Sequence, residues 1–275
     1  MVEKVIKDIE NKLNIKINND DIVYYTEGAT ESVVFSICEK YLVKIMDDLT
    51  LKSQITFLEL YKDFKFFQNV LCYNEELKYI CFDFMPGNKL KYVHVNADYI
   101  RKQIYEIVCL YKKFDDKYYG YIYDNNGMSW SDFIREEINY ARPRLEAFNI
   151  DEKIFDKCLQ VIDKYNIDKY LIHGDFGAHN FIIDNEENLN VIDPMPVVGD
   201  PLFDYYFAIL SIPKLFMGIS DEEILDKFDK PYEYKFCLYT IILIIRLSRA
   251  YVYDKENVPM YLERLNKIEK SEIYV

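Results

Sequence analysis

Residues 171–180, Leu-Ile-His-Gly-Asp-Phe-Gly-Ala-His-Asn, and the Val191-Ile192-Asp193-Pro194 that follows constrain this chain more than anything else in it. Between them lie two apolar runs, Phe181-Ile182-Ile183 and Leu189-Asn190-Val191-Ile192, around the polar Asp184-Asn185-Glu186-Glu187-Asn188. That pattern predicts a hairpin. Antiparallel pairing then sets Asn180 beside Asp193, with partner residues about 4.5–5.5 Å apart. Two oxygen donors at adjacent strand ends suit one hard cation. Asp175, five residues before Asn180, suits an acid that orients or deprotonates an attacking hydroxyl. Singly, each would be an ordinary turn cap or strand end. Together, at this spacing, they point to phosphoryl transfer.

The run His-Gly-Asp, four residues, Asn, then Ile-Asp-Pro resembles the aminoglycoside phosphotransferase and choline kinase group, small-molecule kinases with a two-lobed protein-kinase-like fold. Gly174 and Pro194 stand where protein kinases carry Arg and Phe, which favours a small-molecule acceptor. The resemblance implies ATP or GTP as donor and Mg2+ held by Asn180 and Asp193, with Asp175 as the base. It implies that Lys44, near the end of a third strand, reaches the α- and β-phosphates, and that Glu59, fifteen residues on, pairs with Lys44. In Thr26–Ser32, the expected phosphate-covering turn, the Gly28 backbone and the Thr30 and Ser32 hydroxyls are candidate phosphate contacts; an ordinary hairpin turn fits equally. The segment Phe82–Gly87 resembles the family hinge. Phe82 is then the gatekeeper beside the base, the Asp83 carbonyl accepts from an amino group and the Met85 N–H donates to a ring nitrogen. Backbone recognition of this kind leaves adenine and guanine undistinguished.

Periodicity divides the chain into an amino-terminal nucleotide-binding lobe, 1–85, and a mainly helical catalytic and substrate-binding lobe, 86–275, an α+β organisation. The first shows a helix over 2–14, strands at 22–25, 33–37, 41–45, 71–73 and 79–84, and a helix over Leu51–Phe66. The second shows helices over 97–117, 130–148, 151–165, 204–216, 222–228 and 233–253, and carries the hairpin. Asp200 and Asp204 read as structural, Asp204 as a helix N-cap. His173 reads as a bonded loop residue and His179 as solvent-facing.

With 47 acidic against 34 basic residues, the formal net charge of −13 argues against a nucleic-acid partner and is compatible with a cationic acceptor, though solubility accounts for it as well. Six scattered cysteines suggest neither a disulfide frame nor a zinc site and read as reduced core residues. The amino terminus has no signal-like apolar core. The longest apolar run, Cys237–Ile245, is far short of a membrane span. These features predict a cytoplasmic protein without a membrane partner. The acceptor is expected against Tyr118–Phe148 and Glu233–Val275, where Trp130 and Asp132 either meet it or serve the core. By resemblance an aminoglycoside is the first guess, with antibiotic resistance as its corollary. Choline, an amino sugar, a homoserine-like amino alcohol or another sugar stay open, as does a catalytically silent kinase-like nucleotide-binding module.

Overall fold

The computed structural model describes residues 1–25, 32–123, 127–212 and 219–269. They form two units, Met1–His94 with His179–Pro196, and Val95–Ala178 with Val197–Val275.

The first unit is built on a five-stranded antiparallel sheet. Its strands are β1 (Ile22–Tyr25), β2 (Val33–Ile37), β3 (Tyr41–Ile45), β4 (Val70–Asn74) and β5 (Tyr79–Asp83), in the order β1-β2-β3-β5-β4. Helix α1 (Val2–Leu13) buries Val5 and Ile9 against Phe35, Ile37, Val43, Ile45, Tyr79 and Cys81. Side chains alternate along a strand, so Val43 and Ile45 face this core and Lys44 takes the other side of the sheet. Helix α2 (Asp48–Leu60) starts three residues earlier than the pattern predicts and stops six earlier. Asp47 caps it, accepting from the Leu49 and Thr50 N–H groups at 2.9 and 3.0 Å and from the Thr50 hydroxyl at 2.6 Å. Beyond the helix, Tyr61, Phe64, Phe66 and Phe67 stack on one another and on Phe57.

The hairpin belongs to this unit and not, as the sequence suggests, to the helical one. Its strands β9 (Phe181–Ile183) and β10 (Leu189–Val191) pair antiparallel, and β9 also pairs with β6 (Asn88–Lys89), just past the hinge. The Val191 N–H donates to the Phe66 carbonyl at 2.7 Å. These bonds carry the first unit past residue 85 to His94. Gly87 permits the β6 approach: its φ is +143°, and a Cβ there would collide with the Ile183 carbonyl and sit 2.8 Å from Ile182 Cγ2.

In the second unit α8 (Tyr232–Tyr253) packs against α4 (Trp130–Leu145), α5 (Lys153–Ile162), α6 (Pro201–Leu210) and α9 (Val258–Glu269). By length and composition α8 could cross a membrane, but 78% of its apolar window is buried, as in a core helix. Helix α3 (Ala97–Cys109) packs on α6, and α7 (Asp221–Leu225) on α8. A small sheet of β7 (Gly120–Tyr121), β11 (Val197–Gly199) and β8 (Tyr170–Ile172), in that order, completes the unit. Tyrosine serves this core heavily: Tyr205, Tyr206, Tyr234, Tyr239 and Tyr261 are fully buried. The cysteines fit the core expectation only in part, since Cys81, Cys158 and Cys237 are buried while Cys38 and Cys109 are exposed.

Gly87→Ala should lower the unfolding free energy by about 1–3 kcal/mol, the range for forced backbone strain and overpacking. Denaturant unfolding measures it. An unchanged midpoint would mean that the β6–β9 approach does not need the glycine.

Candidate active site

The first unit assembles Lys44, Gln54 and Asp193. Lys44 is nearly buried, and its Nζ lies 2.7 Å from Asp193 Oδ1. Gln54, on α2, donates from Nε2 to the same oxygen at 3.1 Å and to the Pro194 carbonyl at 3.2 Å. Its Oε1 is buried and has no hydrogen-bond partner among the described residues. Asp193 has a φ of +64°, a left-handed turn that ends the hairpin. Continued past Val191↔Phe181, the β9–β10 register sets Ile192, not Asp193, opposite Asn180, and the Ile192 N–H donates to the Asn180 carbonyl at 3.0 Å. Asp193 is therefore one residue out of the register that the sequence suggests.

Glu59 is not the partner of Lys44. It is half exposed and lies 3.7 Å from Lys62. Five residues separate Gln54 from Glu59, about 140° around a helix of 3.6 residues per turn, so the two point to different sides. Gln54 is not evident from the sequence because a neutral amide carries no charge to mark it as a partner of Asp193. The visible signal is its spacing, three residues after Leu51 and four before Leu58, which puts Gln54 on the same buried face of α2.

Magnesium prefers oxygen ligands, keeps several waters and usually takes only one or two carboxylates, with substrate phosphates. A half-exposed Asp193 carboxylate held by two donors, with the Asn180 amide at the start of the same hairpin, fits that donor chemistry. Among the described residues no group of three or more His, Cys, Asp or Glu gathers into a protein-only cage.

Gly28 and Thr30 lie outside the described residues. Ser32 is half-buried immediately before β2. Phe82 is fully buried in β5, opposite Leu42 and Val70. Asp83 closes the strand, its N–H donating to the Asn69 carbonyl and its carboxylate accepting from Asn69 Nδ2, both at 3.0 Å. The Phe84 N–H donates to the Lys40 carbonyl at 2.8 Å, and half-buried Met85 follows outside the strand.

Asp175 belongs to the second unit, on the loop after β8. Arg249 of α8 donates from Nη1 to its Oδ1 at 2.9 Å. The loop is held from below by Asp204, which has no exposed surface. Asp204 accepts from the His173 N–H at 2.7 Å, the Gly174 N–H at 3.1 Å and the Tyr111 hydroxyl at 2.7 Å. Gly174 takes a left-handed φ of +79°. His173 is fully buried, and its Nδ1 accepts from the Asp175 N–H at 3.3 Å, so it is a bonded loop residue, while His179 is exposed. The cap of α6 is Asp200 rather than Asp204. Asp200 accepts from the Leu202 N–H at 3.0 Å and from Lys230 and the Tyr234 hydroxyl, both at 2.7 Å.

Trp130 and Asp132 serve the structure. Trp130 stacks on Phe133 and donates to the Tyr234 hydroxyl at 3.1 Å, and a Cβ on Gly199 would strike its ring. Asp132 completes a capping box with Ser129 at the start of α4. Nearer Asp175, Glu137 is buried and accepts from the Tyr121 hydroxyl at 3.1 Å; burial pushes both groups above their ordinary pKa.

No protein-family model and no curated protein sequence matches the chain. Solved structures do. Choline kinase LicA from Streptococcus pneumoniae aligns over 97% of this chain and 98% of its own, at 15% identity and a TM-score of 0.54. A thermostable mutant of aminoglycoside phosphotransferase APH(4)-Ia, solved with ADP and hygromycin B, aligns over 98% and 99%, at 17% identity and 0.60. The streptomycin–ATP complex of APH(2")-IIa aligns over 99% and 98%, at 16% identity and 0.55.

Burial pushes the Asp204 carboxyl up to about 7, against its three donors. The folded state therefore holds a proton that the unfolded chain releases near pH 4, so this group's contribution to stability is present below pH 4 and lost as pH rises through 7. Asp204→Asn should remove that slope from the wild-type stability curve between pH 4 and 7, as measured by denaturant unfolding across the range. Parallel curves for the two proteins would refute the assignment. The fold on which these groups sit is the protein-kinase-like fold of the choline kinase and aminoglycoside phosphotransferase structures.

Proposed function

We propose that the chain is a Mg2+-dependent phosphotransferase that moves the γ-phosphoryl group of ATP or GTP to a hydroxyl of a small molecule. The observation that carries this reading is the joining of Lys44, Gln54 and Asp193 at the end of the hairpin that Asn180 opens. A buried lysine paired with a carboxylate held in a left-handed turn is the kind of costly arrangement that clusters at ligand sites. Lys44 binds the donor's phosphates, and Asn180 and Asp193 hold the metal, which when bound neutralises phosphate charge. Gln54 takes the place that the resemblance gives to a glutamate and orients Asp193 without adding negative charge. In the hinge, Phe82 walls the base, while the Asp83 carbonyl and Met85 N–H bond its edge. The Ser32 hydroxyl, just before β2, adds a contact to the phosphates.

Asp175 accepts the acceptor's hydroxyl proton as the new oxygen–phosphorus bond forms and the bond to the departing nucleoside diphosphate breaks. An aminoglycoside-like acceptor is the first substrate to try, because the similar structures include complexes with hygromycin B and streptomycin. Choline, amino sugars and homoserine-like alcohols follow, and a choline kinase is among the similar structures. We place the protein in the cytoplasm.

Purified protein incubated with Mg2+, labelled ATP or GTP and this panel should label at least one acceptor. Asp175→Asn should lower turnover by about 10²-fold or more, the scale of general-base catalysis, with nucleotide affinity nearly unchanged. A variant within about threefold of wild type would remove Asp175 from the chemistry. Asp193→Ala should abolish the Mg2+-dependent part of nucleotide binding, and Asn180→Ala, which removes a neutral ligand, should reduce it less. Calorimetry with and without Mg2+ decides; equal metal dependence in wild type and Asp193→Ala would reject the metal assignment. Binding without transfer to any acceptor would favour the silent module.

A further inference from the structure

Helix α8 is almost wholly apolar from Phe236 to Leu247, yet it carries two arginines one turn apart, Arg246 and Arg249. Both guanidinium groups lie over the ring of Phe207 of α6, 4.8 and 4.7 Å from its centroid. Burying such groups is expensive unless each is paired. Arg246, half-buried, is pushed below its ordinary pKa by desolvation and bonds Tyr261. Arg249 keeps about a quarter of its side chain exposed and is spent on Asp175, Nη1 to Oδ1 at 2.9 Å.

The surroundings of this pair come from four elements. Glu137 of α4, with Tyr121 of β7 bonded to it, feels both Arg249 and Asp175; Asp204 of α6 and Arg246 of α8 feel Asp175 as well. A guanidinium held against an aromatic face keeps its plane, and its Nη1–H then fixes the direction from which the Asp175 Oδ1 is bonded. A lysine at position 249 would supply charge without the plane.

We infer that Arg249 is a positioning residue for the proposed transfer: clamped on Phe207, it holds the Asp175 carboxylate at the angle the acceptor hydroxyl must meet. The inference rests on Asp175 being the base. It makes Arg249 act only through Asp175, so its effect belongs in kcat and disappears when Asp175 cannot accept a proton.

The test is a double-mutant cycle on the full chain, with transfer to the best acceptor of the panel, nucleotide Kd by calorimetry and Tm. Arg249→Met should lower kcat by about 10²-fold, the loss expected when a reacting group is misplaced by about 1 Å. Acceptor KM and nucleotide Kd should stay within about threefold of wild type. Arg249→Lys should recover only part of the loss, since it restores the charge and not a donor held in plane on Phe207. In the Asp175→Asn background, Arg249→Met should change kcat by less than about threefold.

Equal losses in both backgrounds, or a kcat for Arg249→Met equal to wild type, would overturn the inference and leave the phosphotransferase reading standing. A fall in Tm together with weakened nucleotide binding would make Arg249 structural and overturn it too. If Arg249→Met does not fold, the same cycle run with Arg249→Lys decides on the same criterion. A wild-type protein that transfers to no acceptor would overturn the phosphotransferase reading, and this inference with it.

Discussion

A carboxylate without access to water holds the second unit's loop in place. Asp204 sits in the first turn of α6 and gathers the N–H groups of His173 and Gly174 and the hydroxyl of Tyr111, two residues past α3. Backbone N–H groups buried without acceptors are costly, and Asp204 answers two of them at once. Its own burial is costly in turn, which shows in the upward displacement of its pKa to about 7. What this arrangement secures is the exit of the chain from β8: Gly174 turns left-handed, His173 stays inside, and Asp175 is presented to Arg249.

The first unit solves a similar problem with less charge. Lys44 must lie on the sheet face away from α1, because its neighbours Val43 and Ile45 are taken by that helix's core. Asp193 reaches it because the hairpin is tied to β6 and to the Phe66 carbonyl, and because the chain turns left-handed at Asp193 itself. Gln54 then bonds the carboxylate with a neutral amide. A glutamate there would set a second negative charge beside Asp193. The Gln54 Oε1 has no hydrogen-bond partner among the described residues.

Much of this was legible along the chain. The strands of the first sheet follow from short alternating runs, and four of the five match their observed ends closely, because side-chain period and turn residues agree. The hairpin was legible for the same reason, and His173 is bonded within its loop and His179 exposed, as the sequence suggests. The limits of α2 were not: the Asp47 cap starts it early, and the aromatic cluster of Tyr61–Phe67 replaces its last turn. A composition rich in tyrosine and poor in glycine says nothing by itself about function. In the structure it becomes a core in which Tyr205, Tyr206, Tyr234, Tyr239 and Tyr261 fill volume.

What the sequence determined by itself is local: an amide and an acid at a spacing that a hairpin carries to its two ends, and a lysine on a strand whose flanking residues are apolar. Local spacing suffices there because strand and turn geometry are set within a few residues. The tertiary structure alone decided which partners those groups take. Lys44 goes to Asp193 and not to Glu59, 139 residues separate Gln54 from the carboxylate it bonds, and 74 separate Arg249 from Asp175. Such pairs depend on how a helix is rotated about its axis, where one residue is a turn of about 100°. That rotation is set by packing across the whole unit, and no local pattern records it.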